Sequence, residues 1–201
     1  MIRTSVWAPV VVGSMFIAGC AAPPGAEISA ADAAVAGAET AEAPSYAPAA
    51  YTAAQDARAQ LQAELTAQEG KFAPLRSYAR ATELAAAATS AAQAAQQQAA
   101  QERERVRNEA TELLAGARSA LEEARTILAS APTGKGTEAD LAGMKSDLDT
   151  ADISLAEAMT ALTANNYTEA RNKAQAAMQA ATQVRTAVEQ AMATRGIRPR
   201  A

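Results

Sequence analysis

A single thiol stands in the 201-residue chain, Cys20, within Ser14-Met-Phe-Ile-Ala-Gly-Cys-Ala-Ala-Pro-Pro-Gly25. A thiol can serve as a nucleophile, a metal ligand or half of a disulfide. Here there is no second cysteine to close a bridge. There is also no histidine, the commonest general base and the commonest metal ligand. The serines therefore lack a histidine partner, and no Gly-x-Ser-x-Gly elbow occurs. Carboxylates are plentiful, but no pair sits in an apolar setting that would raise a pKa for general acid work. Gly134-Lys135-Gly136-Thr137 invites comparison with a phosphate loop. That loop needs a glycine five residues before the Gly-Lys pair and Ser or Thr after the lysine; Ala129 and Gly136 stand there instead. No catalytic residue, cofactor site or metal ligand follows from these residues, and the chain reads as a non-enzyme.

The remaining polar clusters have simpler readings. In Gln101-Glu-Arg-Glu-Arg-Val-Arg-Asn-Glu109, Glu102 with Arg105, Glu104 with Arg107, and Arg105 with Glu109 are spaced to pair along a solvated helix face. Arg195-Gly-Ile-Arg-Pro-Arg-Ala201 carries three arginines after a helix-ending Gly196. It is a basic tail that could meet anionic lipid or cell-wall polymer. The net charge is −4, with charges of both signs interspersed, so nucleic acid is not an expected partner.

The elements that must carry these residues are helices. Alanine supplies 59 residues, aromatics only 3%. Alanine is the best helix former, and its methyl can line a thin seam between helices but cannot fill a thick core. No β-branched run alternates with period two. The expected fold is all-α: long antiparallel helical hairpins, a coiled-coil-like bundle, with an extended central helix.

Arg3 followed by the mostly apolar run from Val6 to Ile17 is too short to span a bilayer as a helix and has the order of an export signal. Its end, Ile17-Ala18-Gly19-Cys20, resembles the lipobox of bacterial lipoproteins. That resemblance implies removal of residues 1–19, a diacylglycerol on Cys20, and acylation of the new amino terminus. Ala21 follows the cysteine in place of the aspartate that retains many lipoproteins in the inner membrane. The implied location is the bacterial cell envelope, on the outer membrane facing the periplasm.

Residues 20–48 then read as a lipidated, Ala/Pro-rich tether, with Pro23, Pro24 and Pro44 breaking helix and Ile28 to Ala43 able to form a short one. Residues 49–130 read as a first hairpin. One helix runs to Gln68 with Ala50, Ala54, Ala57, Leu61 and Leu65 on a stripe. Gly70 supplies a positive-φ turn. A second helix extends from about Pro74 to Ser130, where Leu75, Tyr78 and Leu84 face the first. Its Ala85–Gln101 segment has only small and polar residues, and the stripe returns at Val106, Ala110, Leu113, Ala117, Leu121, Ala124 and Leu128. Residues 131–137 form a loop with Thr137 as N-cap.

Residues 138–194 read as a second hairpin. Leu141, Met144, Leu148, Ala151, Leu155, Ala158 and Leu162 face Tyr167, Ala170, Ala174, Ala177, Ala181, Val184, Val188 and Ala191. Asn166 with Glu169 has the spacing of a capping box. Residues 64–76 and 161–171 form an internal repeat, each with an aromatic after the turn (Phe72, Tyr167) expected to plug the hairpin end. Residues 195–201 complete the chain as the basic tail.

Tyr46-Ala-Pro-Ala-Ala-Tyr51, the alanine spacing after it and the following helix-turn-helix resemble an uncharacterised family of alanine-rich bacterial lipoproteins, a domain of unknown function with a Tyr-Ala-Pro signature. The likeness covers about residues 27–95 and departs at Gly70-Lys71-Phe72. It implies an envelope location and helical hairpins, and no reaction. The expected role is structural or adaptor-like: membrane attachment through the lipid, with helix faces offered to a protein partner or to a second copy. The alternative is an accessory binding or chaperone-like module for exported proteins or cell-wall polymer.

Overall fold

One helix organises the computed structural model, which describes residues 22–131 and 138–194. Helices α1 (Gly25–Thr40), α2 (Ala43–Tyr46), α3 (Pro48–Glu69), α4 (Ala79–Ser130), α5 (Glu138–Thr163) and α6 (Tyr167–Thr194) follow one another, and the described residues contain no strand. The all-α expectation holds. At 52 residues, α4 is about 78 Å long at 1.5 Å per residue. Such a length needs support along its sides, and it receives it twice.

In the first half, α3 runs antiparallel to α4 and α1 runs parallel to it. Tyr51 and Ala54 of α3, with Val35 and Ala38 of α1, meet Ala92, Ala95 and Ala99. Nearer the start of α4, Ala31 and Leu61 meet Tyr78, Ala81, Leu84, Ala85 and Ala88. In the second half, α5 returns antiparallel and α6 runs parallel. Leu148 and Leu155 pack with Leu114, Ala117, Leu121 and Ala124, against Ala174, Ala177, Ala181, Val184 and Val188. The protein is thus two three-helix bundles in series, and α4 belongs to both.

The expected tether is corrected by this arrangement: residues 25–46 form α1 and α2 and pack on α3 and α4. Ala31, Val35 and Ala38 are buried at helical spacing. The exposed side of α1 also carries Ala26, Ala30, Ala33 and Ala36, so side-chain size barely marks the buried face. The alanine stripe of α4 is buried for the same reason. Ala85, Ala88, Ala92, Ala95 and Ala99 have no exposed surface, because methyl-sized side chains let two helices approach closely. Close approach also explains the Gly37 contact. A Cβ there would lie 2.8 Å from Gln96 Nε2, which donates to the Ala34 carbonyl at 2.8 Å.

The first hairpin turn differs from expectation in three ways. Gly70 has φ −69° and ψ −12°, an ordinary helical conformation with no need of glycine. α4 starts at Ala79 rather than near Pro74: a 3₁₀ turn over Ala73–Leu75 precedes it, and Arg76 is extended. The Arg76 guanidinium turns back to donate to the Glu69 and Lys71 carbonyls at 2.9 and 3.0 Å, covering orphan acceptors at the end of α3. Gln68 is 5% exposed, and its amide links Glu64 Oε1 to the Ser77 N–H. The third difference is that Phe72 does not plug the end but points outward, as does Leu75. Tyr167, its counterpart in the second hairpin, is buried as expected.

The second hairpin follows its sequence closely. Asn165 has φ 62°, and the Asn166 and Asn165 N–H groups donate to Ala161 O and Leu162 O, the bond pattern of a Schellman stop. Asn166 Oδ1 then accepts from the Glu169 N–H at 3.4 Å, while Asn166 Nδ2 donates to Glu169 Oε2 at 2.6 Å. The cap forms, with its reciprocal bond made to the asparagine side chain.

Candidate functional site

Charged and aromatic side chains concentrate at the joint between the bundles. The joint is built around Arg103, midway along α4 and inside the charge cluster read from the sequence. Arg103 Nε lies 3.1 Å from Glu42 Oε2, an ion pair whose alignment falls short of a hydrogen bond. Its guanidinium carbon lies 4.9 Å from the centre of the Tyr167 ring, within the range of a cation–π contact. The Tyr167 hydroxyl donates to Asn165 Oδ1 at 2.7 Å. Glu42 comes from the corner between α1 and α2; Asn165 and Tyr167 come from the corner between α5 and α6. One arginine therefore touches both bundles.

The backbone marks the same place. Glu42 (φ 58°) and Asn165 (φ 62°) are the non-glycine residues of positive φ among those described. A left-handed glutamate costs about 1–3 kcal/mol and persists only where its surroundings hold it. Backbone hydrogen bonds surround this one: the Glu42 N–H donates to the Glu39 carbonyl, and the Ser45 and Tyr46 N–H groups donate to the Glu42 carbonyl. Farther round α4, Arg105 bridges Glu102 at 2.6 Å and Glu109 at 3.1 Å, and Arg171 of α6 approaches Glu109 at 3.6 Å. The Arg105 hydrogen bond holds the Glu102 carboxyl below its ordinary pKa, and the Glu102 bond in turn pushes Arg105 higher. These pairs are solvent-exposed, so each contributes little to stability. On α1 and α3, Tyr51 donates to Glu39 Oε1 at 2.8 Å, and that bond raises the tyrosine pKa.

Beside the joint lies a shallow polar depression of about 380 Å³, lined by Tyr46, Ala47, Gln98, Gln101, Glu102 and Arg105. A groove of about 400 Å³ between α5 and α6 is lined by Met144, Asp147, Thr150, Gln183 and Val184 among others. Neither brings a nucleophile to a base. Among the described residues no three His, Cys, Asp or Glu side chains converge as metal ligands. Arginine keeps its charge throughout the physiological range. The joint therefore supplies fixed charge.

No family model matches the chain, and no curated protein or solved structure matches it. The functional reading accordingly rests on this chain's own residues.

Cys20 and the lipobox residues Ile17, Ala18 and Gly19 lie outside the described residues, as do Thr137, most of the loop at 131–137 and the basic tail. What the structure does place is the chain just behind Cys20. α1 starts at Gly25, and Ile28 and Leu65 pack against the cluster that holds Tyr78 at the end of the first bundle. The far end of α4, near Leu128 and Ser130, is at the opposite extremity. No helix among the described residues is long and apolar enough to cross a membrane. Sequence reasoning found the charge cluster and Tyr167 but not their meeting. The second partner, Glu42, sits in a stretch read as tether.

Proposed function

We propose that this protein is a lipid-anchored envelope spacer or adaptor: acylated at Cys20, attached to the outer membrane, and presenting helix faces to a periplasmic partner. The observation that carries the reading is the continuity of α4 through both bundles. Attachment near the start of α1 leaves one end of α4 beside the membrane and the other about 78 Å along the axis. The joint at Arg103 supports the reading, because a spacer that bends freely at its middle has no fixed reach. Two or three acyl chains hold a protein on a bilayer where one does not, and Ile17-Ala-Gly-Cys20 resembles the signal that directs such acylation.

Cells fed radiolabelled palmitate should label the parent protein and leave Cys20→Ala, which also keeps residues 1–19, unlabelled. The variant's far-ultraviolet helix signal should remain, since residue 20 precedes every helix among the described residues. Equal label on both proteins, or none on the parent, would sink the proposal.

A further inference from the structure

We infer that the tip of the first bundle, Phe72 and Leu75 between Lys71 and Arg76, inserts into the surface of the bilayer that holds Cys20. Phe72 is 75% exposed and Leu75 is 72% exposed. Local geometry keeps them outward: the 3₁₀ turn at Ala73–Leu75 and extended Arg76 hold the loop off the core. The hydrogen bonds from Arg76 to the Glu69 and Lys71 carbonyls fix it there.

The occupant follows from position and charge. Ile28 of α1 and Leu65 of α3 both pack against the cluster of Ala31, Leu61, Tyr78 and Ala81, so α1 begins at the same end as this loop. Four residues lie between Cys20 and Gly25, and five fully extended steps span at most about 18 Å. Acyl chains on Cys20 therefore hold the tip close to the headgroups. Residues 70–77 carry two cations and no carboxylate, while Glu69 and Glu27 stand on the adjoining helix ends. Two large apolar side chains flanked by cations suit the boundary between headgroups and acyl chains. A second contact point at the anchored end resists tilting of the rod, which a flexible lipid link alone does not.

This inference rests on acylation of Cys20, and the test separates the two. Trp7 lies before Cys20 and leaves with the signal peptide, so Phe72→Trp gives the mature protein a single tryptophan. Ile153→Trp is the control, at an α5 residue also largely exposed but in the second bundle. Each variant is extracted from membranes and reconstituted into phosphatidylethanolamine vesicles containing phosphatidylglycerol, with brominated acyl chains. Tryptophan at 72 should shift to the blue and lose most of its emission to bromine; tryptophan at 153 should do neither. An unquenched tryptophan at 72 in vesicle-bound protein overturns the tip insertion and leaves the anchor standing. A blue shift without bromine quenching overturns it in favour of a protein contact. Equal quenching at both positions overturns it in favour of a rod lying flat. Protein that fails to stay with the vesicles overturns the anchor and the insertion together.

Discussion

Gln101→Pro should split one cooperative unfolding transition into two. Gln101 is exposed on α4, so the substitution removes no core contact. It does remove the N–H that bonds the Gln97 carbonyl and sets a ring against that turn, costing about 3 kcal/mol or more. The damage falls two residues before Arg103. A kink there draws the guanidinium away from Glu42 and Tyr167, and with it the side-chain link between the bundles. Each bundle keeps its own seam: Leu61 with Tyr78 and Leu84 in one, Leu121 with Leu148 and Leu155 in the other. Scanning calorimetry should resolve two transitions for Gln101→Pro and one for Gln101→Ala. A single transition for the proline variant, merely lowered in temperature, would show that the bundles do not depend on α4 for their coupling.

The second large effect is expected at Leu121. It is 1% exposed and belongs to a buried cluster in which Ala117, Ala124, Ala151, Ala158, Ala174, Ala177 and Ala181 make up half of the residues. Truncating a buried leucine to alanine costs about 2–5 kcal/mol, and the cost rises with the cavity that remains. Here the cavity should remain. Alanine neighbours have no rotamers with which to refill it, and their backbones are already in close approach. Leu121→Ala should therefore fall in the upper half of that range. Leu75→Ala, at an exposed site, should stay within about 0.5 kcal/mol of the parent. Urea titration of the helix signal gives both values; equal midpoints for the two variants would contradict the packing described.

The contrast between the two halves shows what alanine does to legibility. In α5 the buried positions alternate large and small (Leu148, Ala151, Leu155, Ala158), and in α6 a mostly small stripe from Tyr167 to Val188 runs between charged neighbours, so both stand out. Asn165 and Asn166 announce the turn because asparagine tolerates left-handed backbone and caps the next helix. In α1 the buried Ala31 and Ala38 differ in nothing from the exposed Ala30 and Ala33. A helix face there is defined by what approaches it rather than by its own composition.

Small phase errors have a similar origin. The adjacent Leu113 and Leu114 both suit the stripe, and the structure buries Leu114 more fully. Met192, one residue past the expected Ala191, closes the other end. The repeat was visible in sequence, but the fate of its aromatics was not. Tyr167 is drawn inward by Arg103 and Asn165, whereas the loop around Phe72 is held outward by Arg76. Those partners are distant in sequence or act through backbone carbonyls, which side-chain patterns do not display. The joint itself needed the tertiary fold, since Glu42, Arg103 and Tyr167 come from three separate segments.

The most direct test of the spacer is energy transfer from its two ends to the membrane. Acylation of Cys20 leaves no other native thiol, so Ala79→Cys and Ser130→Cys each create one labelling site, at exposed residues at the two ends of α4. The sites lie about 77 Å apart along the helix. With a donor on that thiol and acceptor lipids in the vesicle, the donor at 79 should lose most of its emission and the donor at 130 should keep most of its own. Equal transfer from both sites would contradict the account, because it would place the far end of α4 as near the bilayer as the end beside the anchor.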